Sequence, residues 1–187
     1  MINLNLNRII QKIINESMNK EKKLVIFDFD DTLAKTESKV FVKKQNGDIL
    51  ELTPGQYAKY VKEPGDEFDY SQFEDLIKPK EIEEITSILR KTVSDHGTDS
   101  ALILTARGKE EPVERFLRKF KLPEIQIVAL GNSHPDLKAF WILAAIKKHN
   151  FTKVVFYDDS SKNIEAVNRL SKKYKHYGAD VEAILVK

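Results

Sequence analysis

Apolar residues fall along this chain in two alternating rhythms. Short runs, LVIF from Leu24, ALIL from Ala101, IQIVAL from Ile125, KVVFY from Lys153 and VEAILV from Val181, read as strands. Between them apolar residues recur at helical spacing over about 79–93, 109–120, 136–149 and 161–173. Strands alternating with helices predict an α/β fold, with a parallel sheet covered on both faces. One interval breaks the rhythm. Between the first strand and the helix near Lys80, KVFVKKQNGDILEL reads as a hairpin turning at Asn46 and Gly47. A short helix from Pro54 and the polar, aromatic EPGDEFDYSQF follow it. Ahead of the first strand, Leu4, Ile9, Ile10, Ile13, Ile14 and Met18 share one face of an amphipathic helix. The expected organisation is an N-terminal helix within residues 1–20 and one domain over 21–187, with a small insert at about 34–78.

Composition narrows the setting. At 187 residues, 41% of them apolar and 32% charged, the chain suits one globular domain with a sizeable core. Lys plus Arg number 31 against 29 for Asp plus Glu, so a net charge of +2 gives no strong pull toward nucleic acid or anionic membrane. The absence of cysteine excludes disulfides, thiolate metal sites and a Cys nucleophile. No apolar run approaches the roughly 20 residues of a membrane span, and the N-terminus lacks an apolar signal segment. The expectation is a soluble, cytoplasmic protein without a membrane partner, whose N-terminal helix offers a surface for packing, for a partner or for self-association.

In an open parallel sheet, ligands gather beyond the carboxyl ends of the strands, where strand order reverses. The polar residues just after each apolar run therefore matter most. The first strand is followed by Asp28, Asp30, Asp31 and Thr32, the second ends in Thr105, Ala106 and Arg107, and the fourth in Asp158 and Asp159. Any one of these acids and hydroxyls alone is an ordinary helix cap. Together they bring acids, a hydroxyl and a cation to one edge, although crowding like charges beside a buried strand is costly.

These residues resemble the motifs of the haloacid dehalogenase superfamily of phosphotransferases. VIFDFDDTL is similar to its first motif, an apolar strand followed by Asp-x-Asp-x-Thr, and LILTAR to its second. VVFYDDSSKN resembles its fourth motif in the Asp-Asp form found in several polynucleotide and protein phosphatases, and Lys138 in HPDLKAFW is the best match to the lone lysine of the third. The resemblance spans about Leu24 to Asn163. It implies a Rossmann-like three-layer sandwich with a mainly parallel sheet of about five strands, the first and fourth adjacent at its centre.

The resemblance also implies a chemistry in which crowded carboxylates hold a hard cation and act on a phosphate. Asp28 would be the nucleophile and Asp30 the acid and base. Asp28, the backbone carbonyl of Asp30 and Asp159 would ligate Mg²⁺, with Asp158 in the same shell or acting through water and Asn163 in support. Thr105 and Lys138 would hold phosphoryl oxygens, with Lys147, Lys148 and Lys162 as rivals to Lys138. Arg107 would recognise a substrate phosphate or carboxylate, or else pair with Glu110 or Glu111. Asp31 reads as a solvated turn residue, and Thr32 as a loop-orienting residue or a cap for a following helix. A phosphatase acting on a nucleotide or nucleic-acid end follows, with a small-metabolite phosphatase and a non-catalytic metal- or phosphate-binding module as alternatives. A receiver domain fits worse, because VALGNSHP after the third strand lacks an aspartate. The insert is short for a full helical cap. It carries Tyr57, Tyr60, Phe68, Tyr70 and Phe73 as exposed aromatics, which either pack the insert or stack on a nucleobase.

Overall fold

The computed structural model describes residues 21–187 apart from Glu74, so the amphipathic helix expected over 4–18 lies outside the described residues. The chain begins with β1 (Lys23–Phe27) and turns into the short β2 (Ala34–Lys35). The insert follows as β3 (Val40–Lys43), β4 (Ile49–Leu52), α1 (Pro54–Lys59) and β5 (Glu67–Asp69). The chain returns to the main body through β6 (Lys80–Glu81), α2 (Glu83–His96), β7 (Ala101–Thr105), α3 (Glu111–Lys119) and β8 (Gln126–Ala129). It finishes with α4 (Pro135–His149), β9 (Lys153–Asp158), α5 (Ser161–Arg169), α6 (Ser171–His176) and β10 (Asp180–Leu185).

Five of these strands form one parallel sheet in the order β10-β9-β1-β7-β8, which is a Rossmann-like arrangement. The alternation within β1 shows why helices cover both faces. Val25 and Phe27 enter one core with Ile85 and Leu89 of α2 and Val113, Phe116 and Leu117 of α3. Leu24 and Ile26 enter the other with Ala139, Ile142 and Ile146 of α4, Ala166 and Val167 of α5 and Tyr174 of α6. A central strand apolar from Leu24 to Phe27 and buried on both sides is what a parallel sheet requires. Order reverses at β1, with β7 and β8 added on one side and β9 and β10 on the other, so the crevice lies beyond the ends of β1 and β9. No helix among the described residues is long and apolar enough to cross a membrane.

Three expectations need correction. The helix expected over about 161–173 is two helices broken at Leu170, a break that lets Tyr174 sink into the core and donate its hydroxyl to the Ala139 carbonyl at 3.1 Å. No helix follows Thr32, because Leu33 and Ala34 both donate backbone N–H groups to the Phe29 carbonyl in a tight turn that leads into β2. Three of the insert aromatics are also less exposed than expected, while Tyr70 is exposed as expected and the side chain of Phe73 lies outside the described residues. Tyr57, Tyr60 and Phe68 are half-buried against one another and Tyr70 keeps 42% exposure, because Tyr57 meets Phe68 and Tyr70 edge-on and Phe68 lies parallel to Tyr70.

The insert is a three-stranded antiparallel sheet, β4-β3-β5, carrying α1. Its hairpin turns at Asn46 and Gly47 as expected, with Gly47 at φ 88° and the Asn46 side chain accepting from the Asp48 backbone. Thr53 caps α1 in a reciprocal capping box with Gln56.

Candidate functional site

Asp28 is the first residue beyond β1, and its backbone N–H donates to the Tyr157 carbonyl at 2.9 Å, extending the pairing with β9 by one step. Phe29 is fully buried edge-on against Phe116, so it anchors the loop between Asp28 and Asp30. Asp31 then adopts a left-handed φ of 56°, which aspartate tolerates better than most residues. The turn this creates keeps three carboxylates within four positions at the sheet edge.

The cation these acids need comes from α4. Lys138, in the first turn of that helix, is buried, and its Nζ donates to Asp28 Oδ1 at 2.6 Å and to Asp158 Oδ2 at 2.7 Å. Burial works against the Lys138 charge, but Asp158 and Asp28 outweigh it and hold the ammonium above its ordinary range. Asp28 is pushed well above the usual carboxylate range, mainly by burial and further by Asp158, despite Lys138. Asp158 is fully buried and saturated with donors. Besides Lys138, it accepts from the Ser160 backbone at 2.8 Å and from Asn163 Nδ2 at 2.9 Å on each oxygen. Asp159 is half-buried, and burial, with Asp158 and Asp31 nearby, raises its carboxyl to about 6.

Carboxylate oxygens of Asp28, Asp158 and Asp159 lie within 4.8 Å of one another, a span suited to one small cation. All are hard oxygen donors, the kind that Mg²⁺ takes. Thr105, which ends β7, is buried and faces the same cavity. Lys162 also borders the cavity, whereas Lys147 lies over the Tyr177 ring.

Arg107 takes neither Glu110 nor Glu111 as its fork partner. Its Nε and Nη2 donate to the two oxygens of Asp30 at 2.8 and 2.7 Å, and its guanidinium lies 5.2 Å from the centre of the Phe29 ring. The pair spans the gap between the first and second strand ends, and the guanidinium side chain is only 2% exposed. A buried bidentate fork fixes the Asp30 carboxylate plane, which a surface arginine would not do.

Two features escaped the sequence. Asp31, expected as a solvated turn residue, is half-buried, and its Oδ2 lies against Gly55 at the start of α1, 3.6 Å from where a Cβ would sit, which brings the first loop up to the insert. Its carboxyl is raised, by burial and by Asp30, against the pull of Lys35 and Gly55. The second is the far wall of the cavity, of which the sequence offered only the aromatics, as packing or base-stacking residues. The space beside the carboxylates is about 460 Å³, and its lining includes Tyr57, Lys62 and Tyr70 from the insert and Asn132, Ser133 and His134 from the loop before α4. His134 caps α4, accepting from the Asp136 backbone through Nδ1, while His149 and His176 pack beside Phe151 and Tyr177. No protein-family model matches this chain, and comparison with curated proteins finds no match.

Proposed function

We propose that this chain is a Mg²⁺-dependent phosphomonoester hydrolase of the haloacid dehalogenase type, working through a phosphoryl group carried on Asp28. The observation that supports it best is the buried Asp28 carboxylate, hydrogen-bonded to Lys138, clustered with Asp158 and Asp159, and open to a cavity of about 460 Å³. A purely structural ion pair has no use for a third acid or for a cavity beside it.

The residues divide the work. An Asp28 oxygen forms the new bond to phosphorus as the ester P–O bond breaks, and Asp30 gives the departing oxygen its proton. Asp30 then takes a proton from water as that water attacks the phosphoryl group, which releases phosphate and returns Asp28 to a carboxylate. Arg107 sets the plane of Asp30, and one arm of the fork must open whenever Asp30 carries the proton. Lys138 aligns Asp28, and with the Thr105 hydroxyl it meets the phosphoryl oxygens. Asp28, Asp159 and the Asp30 carbonyl would hold the Mg²⁺, which supplies positive charge between an anionic nucleophile and an anionic substrate. Asp158, with its oxygens already taken by Lys138, Asn163 and Ser160, serves to orient them. The substrate is a nucleotide or a nucleic-acid terminal phosphate rather than a ring-free metabolite.

The test is hydrolysis of p-nitrophenyl phosphate with Mg²⁺ and with excess chelator. Turnover should require the metal and vanish in Asp28→Asn, while circular dichroism shows the fold retained. Intact-mass analysis of Asp30→Asn should trap one phosphoryl group on Asp28. A metal-independent activity, or near wild-type turnover in Asp28→Asn, overturns the assignment.

A further inference from the structure

The wall facing the carboxylates is unlike the rest of the site. Where the strand ends supply acids, a hydroxyl and cations, the insert supplies Tyr57 and Tyr70, with Pro54 and Val40 beside them, and Lys62 at the edge. We propose that this wall is the leaving-group subsite and that it takes a nucleoside, the base against Tyr57 and Tyr70 and a further anionic group near Lys62.

Three observations carry it. First, the two tyrosines are held in place. Their hydroxyls are 2.7 Å apart, each ring packs with Phe68, and the pair meets at 79°, which makes a rigid aromatic corner. Tyr70 nevertheless keeps 42% of its surface exposed, an unusual cost for an aromatic residue whose only task is to fill a small core. Second, the wall is fixed relative to the nucleophile. Asp31 packs its carboxylate against Gly55 at the start of α1, Glu37 donates its backbone N–H to the Ile77 carbonyl at 2.9 Å, and β2 pairs with β6 at the root of the insert. Third, Lys62 Nζ lies 4.7 Å from the centre of the Phe68 ring and 5.9 Å from that of Tyr57, so a cation borders the aromatic corner. An aromatic surface with a bordering cation is how proteins hold a base and its backbone phosphate without reading sequence. The cavity of about 460 Å³ lies within the range of pockets for small ligands and suits one nucleoside monophosphate.

The orientation rests on the phosphatase reading, because that reading places the phosphate at Asp28. The aromatic corner can be tested apart from it. Isothermal titration of the full chain with adenosine, which has no phosphate, should show binding that weakens about five- to a hundredfold in Tyr57→Leu and in Tyr70→Leu, the range expected for loss of one stacked ring. Tyr70→Phe, which keeps the ring but loses the hydroxyl that meets Tyr57, should weaken binding less than Tyr70→Leu. Because a leucine could unsettle the insert, Lys62→Ala is the second probe. It should leave adenosine binding intact but raise KM for an oligonucleotide carrying a terminal phosphate more than for a free mononucleotide. Acetyl phosphate, which has no ring, should lose less turnover than nucleotides do in Tyr57→Leu and in Tyr70→Leu. No adenosine binding by wild type, or equal losses on acetyl phosphate and nucleotides, overturns the subsite. Adenosine binding without any phosphate hydrolysis keeps the subsite and overturns the phosphatase.

Discussion

Lys138 bridges two carboxylates that burial takes out of solvent. Its Nζ bonds both Asp28 and Asp158, with side chains 5%, 9% and 0% exposed respectively, so deleting the cation leaves two like charges facing each other out of solvent. Lys138→Met keeps the length and removes the charge. It should lower the unfolding free energy at pH 7.5 by about 3–5 kcal/mol in urea titrations, the range for breaking one side of a buried ion pair. A loss under about 1 kcal/mol would mean that water reaches the pair.

The same residues set a pH dependence with a definite sign. Asp159 titrates near 6 in the fold against 3.8 for an ordinary aspartate, raised by burial and by Asp158 and Asp31, and Asp28 is shifted the same way. A carboxyl whose folded value is raised adds stability below the unfolded value and loses it as pH rises through the folded one. Metal-free protein should therefore melt higher at pH 5 than at pH 7.5, and Asp159→Asn should flatten that difference. Excess Mg²⁺ should raise the melting temperature more at pH 7.5 than at pH 5, since the cation and the proton compete for the same oxygens. Melting curves in chelator and in Mg²⁺ read both. At this scale the acids were legible in the sequence because they follow apolar runs directly. The bond between Arg107 and Asp30 was not, since 77 residues separate the two and Glu110 and Glu111 stand closer along the chain.

Among the elements, the insert and the first loop depend on each other. Asp31 holds a left-handed turn and lays its carboxylate against Gly55, two tasks that a single substitution can separate. Asp31→Gly keeps the backbone at ease and removes the carboxylate, whereas Asp31→Asn retains a side-chain oxygen and tolerates the same φ. Amides of α1 should exchange about tenfold faster in the glycine variant, as expected for losing a polar contact worth about 1 kcal/mol, and near wild-type rates in the asparagine variant. Equal protection in both variants would show that β2 and β6 fix the insert alone. The hairpin at Asn46 and Gly47 and the helix from Pro54 could be read ahead of the structure because turns and caps are local chemistry. The facing of that hairpin toward Asp28 could not, because it depends on where Asp31 sends the chain.

For the whole molecule, strand order decides which parts open together. β1 and β9 are flanked on both sides by paired strands and sit between two apolar cores, while the insert sheet has only Val40 and Val42 fully buried along β3. Hydrogen exchange should therefore be slowest in β1 and β9, near the global limit, and the amides of β3 to β5 should exchange through a smaller, separate opening. A single rate for both regions would make the insert part of the main cooperative unit. Five apolar runs between helical segments were enough to predict this sheet. Helix ends such as the break at Leu170 were not, because they are set by where Tyr174 finds space between α4 and β10.

The central place of β1 also has a consequence for how the chain is made. Phe27 ends β1 and Ala101 begins β7, so 73 residues must be synthesised before either edge of this central strand acquires a partner. At about 5–20 residues per second this leaves KLVIF unpaired on the ribosome for about 4–15 seconds, and β9 arrives later still. During that interval the insert, whose strands are close neighbours in sequence, can close first and stand over an unfinished sheet. The newborn chain thus carries an open, sticky strand beside an already folded appendage, and its yield in the cell should depend on a chaperone that occupies that strand until β7 emerges.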